Sequence, residues 1–221
     1  MRRKRLPQPA PRPRRPTPAE LRLAHNKRVP DVVAPRLKVL FVGINPGLYS
    51  AAARHHFARP GNRFWPALQR AGLTPRLFFP YEEREMLKHG LGITNIVNRA
   101  SASAAELGKR ELATGGKRLA AKVARLRPRI VAFLGIDAYR SAFGARHSTV
   151  GPQPQRLGSA AVWLLPNPSG LNAHYQLKDF VRWFRRLGSA AHPHGRTRSH
   201  GGPDGQKTVG AVKNKGRSDS G

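Results

Sequence analysis

From Asp31 to Gly188 the hydrophobic positions follow two alternating periods. Leu37–Val42, Leu91–Val97, Ile130–Leu134 and Ala161–Leu165 are short continuous apolar runs, rich in β-branched and aromatic residues and bounded by turn formers. Runs of that kind are strands buried on both faces, as in a parallel sheet. Between them the spacing changes. Leu119, Val123 and Leu126 recur at helical intervals with Lys and Arg opposite, and Pro128 ends the run. Leu177, Phe180, Val181, Phe184 and Leu187 predict a packing helix whose outer face carries Arg182, Arg185 and Arg186, with Gly188 as its C-cap. Asn62 before Phe64, Trp65 and Leu68, with Gly72 behind them, predicts a shorter helix. Four strands alternating with helices predict an α/β domain whose mainly parallel sheet is covered on both faces.

Outside that span the pattern disappears. Residues 1–30 hold ten basic residues, one acidic residue (Glu20) and seven prolines, and residues 189–221 are mostly Gly, Ser, His, Lys and Arg. Both are expected to be disordered, a basic Pro/Arg-rich arm and a basic tail, because neither can bury enough apolar surface to offset the entropy of ordering. Charge changes the picture most. The 221 residues carry 41 Lys and Arg against 11 Asp and Glu, a formal net charge of +30. Setting aside the +9 of the arm and the +4 of the tail leaves +17 on the folded span 31–188. A basic folded surface calls for a polyanionic partner, nucleic acid first.

Other classes fall away. No apolar run approaches the roughly 20 residues that cross a bilayer, and the Arg-rich N-terminus lacks the apolar stretch of a secretory signal. No membrane partner is expected, and the expected location is cytoplasmic (nucleoid-associated) or nuclear, not secreted. With no Cys, disulfides, thiolate nucleophiles, iron–sulfur clusters and Cys-built zinc sites are excluded.

Ligands of an open parallel sheet bind beyond the carboxyl ends of its strands. Two of those ends are alike: the first strand runs into Gly43-Ile-Asn-Pro-Gly-Leu48 and the last into Pro166-Asn-Pro-Ser-Gly-Leu171. Pro after Asn45 and after Asn167 holds each Asn near extended geometry, and Gly47 and Gly170 let backbone amides approach a ligand. One such motif reads as a turn; the pair, on the first and last strands of a basic sheet, marks a site as readily as a turn. Neither loop contains Asp, Glu, Cys or Lys, so carboxylate pairs, covalent nucleophiles and metal cages find little support there. A carboxamide positions a water without ionising it, which suits a reaction whose leaving group departs by itself.

Gly43–Leu48, Arg59-Pro-Gly-Asn-Arg-Phe-Trp65, Gly92-Ile-Thr-Asn95 and Asn167-Pro-Ser-Gly-Leu171 resemble, in order and spacing, the mismatch-specific uracil and thymine DNA glycosylases, a branch of the uracil-DNA glycosylase superfamily. The resemblance implies a three-layer α/β/α fold and a monofunctional, cofactor-free and metal-free enzyme acting as a monomer on duplex DNA with a mismatched or damaged base. It assigns Asn45 the catalytic water, backbone amides around Ile44 and Gly47 the base and its developing oxyanion, and Phe57 the stacking on the flipped base. Asn167 and Ser169 join the substrate contacts; Leu171 is the wedge, and the backbone near Gly170 and Asn172 reads the widowed guanine.

The sequence also departs from the pattern. Ala173 and His174 follow the wedge where the bacterial mismatch enzymes carry an Arg, so His174 stands as the candidate replacement for that contact. Asn95 is a candidate auxiliary group, while His55 and His56 receive no catalytic role. The classical uracil enzymes place Asp and His where Asn45 and Asn167 stand here, and slower chemistry is expected. Two alternatives stay open: a superfamily enzyme for another lesion, such as hypoxanthine or an alkylated cytosine, and a DNA-binding protein without catalysis.

Overall fold

The computed structural model describes residues 14–192. Five strands form one sheet in the order β2-β1-β3-β5-β4, with β1 Val39–Gly43, β2 Leu91–Asn95, β3 Ile130–Leu134, β4 Gly151–Leu157 and β5 Ala160–Leu165. β2, β1, β3 and β5 are mutually parallel; β4 pairs antiparallel with β5. Period-two alternation sorts the buried strand residues into two layers. Val39, Phe41, Ile93, Ala132, Leu134 and Leu165 face Phe64, Leu68, Phe180 and Phe184 of α3 (Phe64–Arg70) and α6 (Leu177–Ala191). Leu40, Val42, Val131, Phe133 and Leu164 face Leu112, Leu119, Val123 and Tyr139 of α4 (Lys109–Leu126) and α5 (Ile136–Phe143). The expected three-layer α/β/α architecture is present, with one strand more than the sequence predicted.

The extra strand, β4, reads Gly-Pro-Gln-Pro-Gln-Arg-Leu and is mostly exposed. Pro152 and Pro154 are tolerated because β4 is the sheet edge, where a missing N–H breaks no ladder. One element end also differs from expectation. Gly188 does not cap α6, which continues to Ala191; a Cβ at Gly188 would stand 2.9 Å from Leu73 Cδ2, so close packing explains the glycine.

The part of the N-terminal arm from Arg14 to Pro30, expected to be disordered, is folded onto the domain. Thr17 and Glu20 form a capping box on α1 (Pro18–Arg22), Ala24 and Val29 are buried with Ala51 and Ala100, and Asn26 N–H donates to Ala100 O at 2.9 Å. Its order comes from long-range backbone bonds, which leave no hydrophobic period in the sequence. The rest of the expected arm and the tail beyond His192 lie outside the described residues. No helix among the described residues is long and apolar enough to cross a membrane.

Candidate active site at the strand ends

The loop after β1 leads into α2 (Leu48–Ala53), with Gly47 as its N-cap, and is bound to a second loop that follows β2. Ser101 N–H donates to Pro46 O at 3.2 Å, and Gly47 and Ser101 form an isolated parallel bridge. The Asn45 Nδ2 donates to Ser101 Oγ at 2.8 Å, Arg99 O at 3.1 Å and Pro46 O at 3.2 Å. Ser101 is fully buried and its hydroxyl proton goes to Ser103 O at 2.6 Å, so its oxygen can only accept from Asn45. That fixes which end of the amide is which. Asn45 Oδ1 accepts no hydrogen bond from any described residue and is left as a free acceptor.

The supports of that amide are themselves held. A bidentate fork from Arg99 to Glu111, Nε to Oε1 at 2.6 Å and Nη2 to Oε2 at 2.8 Å, anchors the residue whose carbonyl Asn45 uses. The hydrogen bond from Arg99 keeps the Glu111 carboxyl below its ordinary range.

Asn95 and Phe57 converge on Gly43. A Cβ at Gly43 would lie 2.4 Å from Asn95 Oδ1 and 3.5 Å from Phe57 Cζ, so glycine there makes a floor that an amide and an aromatic edge can share. Asn95 is buried at the carboxyl end of β2, directly across from Gly43. Phe57 is half-buried, its ring 4.3 Å from that of Phe64, and its backbone is in the left-handed region at φ 51°. For a bulky side chain that conformation costs about 1–3 kcal/mol and persists only where neighbours impose it. Ile44 is half-buried against the helical layer of α4 and α5, and Gly47 is exposed with open space around it.

The loop after β5 lies two strands away across β3, about 10 Å at the usual strand spacing. Asn167 Oδ1 accepts from Ser169 N at 3.0 Å, Leu171 N donates to Ser169 Oγ at 3.3 Å, and Asn172 Nδ2 donates to Asn167 O at 3.0 Å. Asn167 and Ser169 therefore shape their own turn. Gly170 has a packing reason rather than a ligand one: a Cβ there would come within 2.9 Å of Gly61 O. Leu171 is 72% exposed, the most exposed large hydrophobic residue described. The His174 side chain is exposed, and its backbone N–H donates to Asn172 Oδ1 at 3.1 Å.

A cavity of about 470 Å³ opens between the loop after β2 and α4, lined by Asn95 and Arg99 and by Arg28, Arg110, Glu111, Arg118 and Lys122. The sheet end is thus a row of carboxamides and backbone groups bordered by cations. Residues 30–188 match the uracil DNA glycosylase superfamily. The chain belongs to that superfamily. A solution NMR structure from Methanosarcina acetivorans, named as a candidate uracil DNA glycosylase, shares the fold: the TM-score is 0.51 and the identity 18%, over 74% of this chain and 98% of that one.

Within the superfamily fold, three residues matter that sequence reasoning passed over. Ser101 lies outside every motif, and its role depends on a contact spanning 56 residues. Arg63 stands inside the Arg59–Trp65 motif, yet nothing in the motif says that its side chain crosses to the last loop. Glu83 explains the paired histidines. Its carboxylate meets His55 Nδ1 at 3.0 Å, His56 N–H at 2.8 Å and His56 Nδ1 at 2.9 Å, immediately before the strained Phe57. Burial pushes the Glu83 carboxyl up, but the hydrogen bonds and charge of His56, with the hydrogen bond of His55, outweigh it and hold the group below its ordinary value. His55 and His56 thus tie the segment before Phe57 to Glu83.

Proposed function

We propose that the protein is a monofunctional DNA glycosylase of the mismatch-specific uracil and thymine branch, removing uracil from G:U pairs and starting base excision repair. The orientation of Asn45 carries the reading. Its amide nitrogen is committed to acceptors on Ser101, Arg99 and Pro46, and its oxygen is free to accept a hydrogen bond from one water and hold that water for attack.

Extruding the base costs a few kcal/mol and costs least at a mismatch. The C1′–N bond then breaks with its electron pair leaving on the base, and positive charge develops on the sugar. The water held by Asn45 adds to C1′ and gives up its proton, which leaves a neutral free base and an abasic site. Backbone amides around Ile44 and Gly47 stabilise the departing anion, each well-placed donor contributing about 3 kcal/mol. In this reading Asn95 bonds the base and Phe57 stacks on its ring, a reading supported by their convergence on Gly43. Leu171 is the apolar plug for the vacated stack, and Asn167, Ser169, Gly170, Asn172 and His174 belong to the loop that carries it. The cationic border accounts for affinity to phosphate.

Single-turnover assays on duplexes with G:U, A:U and G:T pairs and on single-stranded uracil test the reading. Excision from G:U is expected to exceed that from A:U and to fall about 100- to 10,000-fold in Asn45→Ala. Full excision by Asn45→Ala would overturn the mechanism. Equal cleavage of G:U and A:U would remove the mismatch preference, and tight binding without excision would favour another lesion or a protein that only binds.

A further inference from the structure

Leu171 is a large apolar side chain standing in water at a turn of the eleven-residue loop 166–176 between β5 and α6, and a free loop would present it in many orientations. Local side-chain bonds within the turn account for part of its shape. The rest comes from one residue 106 positions earlier. The Arg63 guanidinium donates from Nη2 to Ser169 O at 2.5 Å and to Asn172 O at 2.7 Å, and from Nη1 to Tyr175 O. Its backbone N–H also donates to Pro168 O at 2.9 Å. The side chain is half-buried, lies 5.4 Å from the centroid of the Phe180 ring, and forms no ion pair with any described carboxylate.

A half-buried cation directed at three neutral carbonyls is an uncommon use of charge, because a partly desolvated guanidinium is normally compensated by a carboxylate. The planar fork makes it geometrically specific. Carbonyls at positions 169, 172 and 175 are gathered on one side of the chain, and Leu171 lies between the first two. Because Arg63 begins α3 and Tyr175 leads into α6, the clamp ties the turn to both helices of one layer. Residues 61 and 170 are in contact as well, through the Gly61 carbonyl over Gly170.

We propose that Arg63 is a positioning residue for the duplex-probing turn: it holds Leu171 in the orientation that enters a base stack, so that little ordering remains to be done on binding DNA. The inference rests on the reading of Leu171 as the wedge. Preorganisation of this kind raises affinity without adding a contact to the ligand.

A double-mutant cycle on a G:U duplex tests it, with kcat/KM and duplex affinity measured for wild type, Arg63→Ala, Leu171→Ala and the double variant. Each single variant is expected to lose about tenfold or more. In the Leu171→Ala background Arg63→Ala should cost less than about threefold further, because the residue it acts through is gone. Arg63→Lys, which keeps the charge and disturbs packing least, should remain closer to alanine than to wild type, since one ammonium cannot serve three carbonyls in a plane. Losses that simply multiply, or full rescue by lysine, would overturn the inference while leaving the glycosylase reading intact. Failure of the wild-type chain to excise uracil from the duplex would overturn the reading itself and the inference with it.

Discussion

The two strand-end loops share Asn-Pro and Gly-Leu, and the structure uses those residues in opposite ways. After β1, the Asn45 side chain points its nitrogen into a fixed frame of other residues and keeps its oxygen unoccupied. After β5, Asn167 turns its oxygen back onto its own loop at Ser169 N. Open space surrounds Gly47; the carbonyl of Gly61 lies against Gly170. Leu48 starts a helix and is half-buried, whereas Leu171 is left in water. A motif thus sets where a loop begins, and the partners brought by the rest of the chain set what it can do. On the proposed reading the first loop serves chemistry and the second contact.

Several variants would break or sharpen that contrast. Among the residues that support the first loop, the largest effect on excision should come from Ser101→Ala. Losing that acceptor removes the group that dictates the Asn45 amide orientation, and excision is expected to fall about tenfold at unchanged duplex affinity, corresponding to one hydrogen bond of about 1.5 kcal/mol. A loss of affinity instead would show that the frame serves binding.

Glu83→Gln tests whether the first loop also needs its ionised clamp. It should lower stability by about 1–3 kcal/mol at neutral pH and reduce order at Phe57, read by thermal melts and by Phe57-dependent substrate affinity. The sign of the acid response follows from the lowered carboxyl value. The clamp is fully effective above the ordinary value of 4.5 and is lost as pH falls through the lower folded-state value, so the wild type should lose more stability than Glu83→Gln below about pH 4.5.

The two glycines give a paired test. Gly47→Ala adds a methyl to open space at φ −72°, so melting should not change while excision does, because the methyl stands where the base is expected. Gly170→Ala must displace the Gly61 backbone and is expected to lower stability by about 1–3 kcal/mol. Equal melting temperatures for the two would remove the distinction. The smallest effect is electrostatic: Arg118→Ala at the cationic border should reduce the salt dependence of duplex binding by about 0.9 log units per log unit of salt, with single-turnover excision at saturation retained.

How much of this the sequence revealed depends on the range of the interactions. The four parallel strands and the helices α4 and α6 were legible because each buries a continuous run or a periodic face. β4 was not, since an edge strand of Pro and Gln presents no pattern to either side. Residues 14–30 carry no apolar period, and their order rests on Asn26, Lys27 and Ala100 pairing across more than 70 residues. The strand ends and Asn45 could be found because motif and topology coincide there. Ser101, Arg63 and Glu83 could not, because their work is done through contacts spanning 56, 106 and 27 residues that no local spacing encodes.

The division of labour between the loops is the central claim, and one measurement addresses it: single-turnover rate at saturating enzyme and affinity for the same G:U duplex, for wild type, Asn45→Ala and Leu171→Ala. The account predicts that Asn45→Ala loses rate with its affinity nearly intact, while Leu171→Ala loses affinity and keeps most of the rate at saturation. Parallel losses of rate and affinity in both variants, or the reverse assignment, would contradict it.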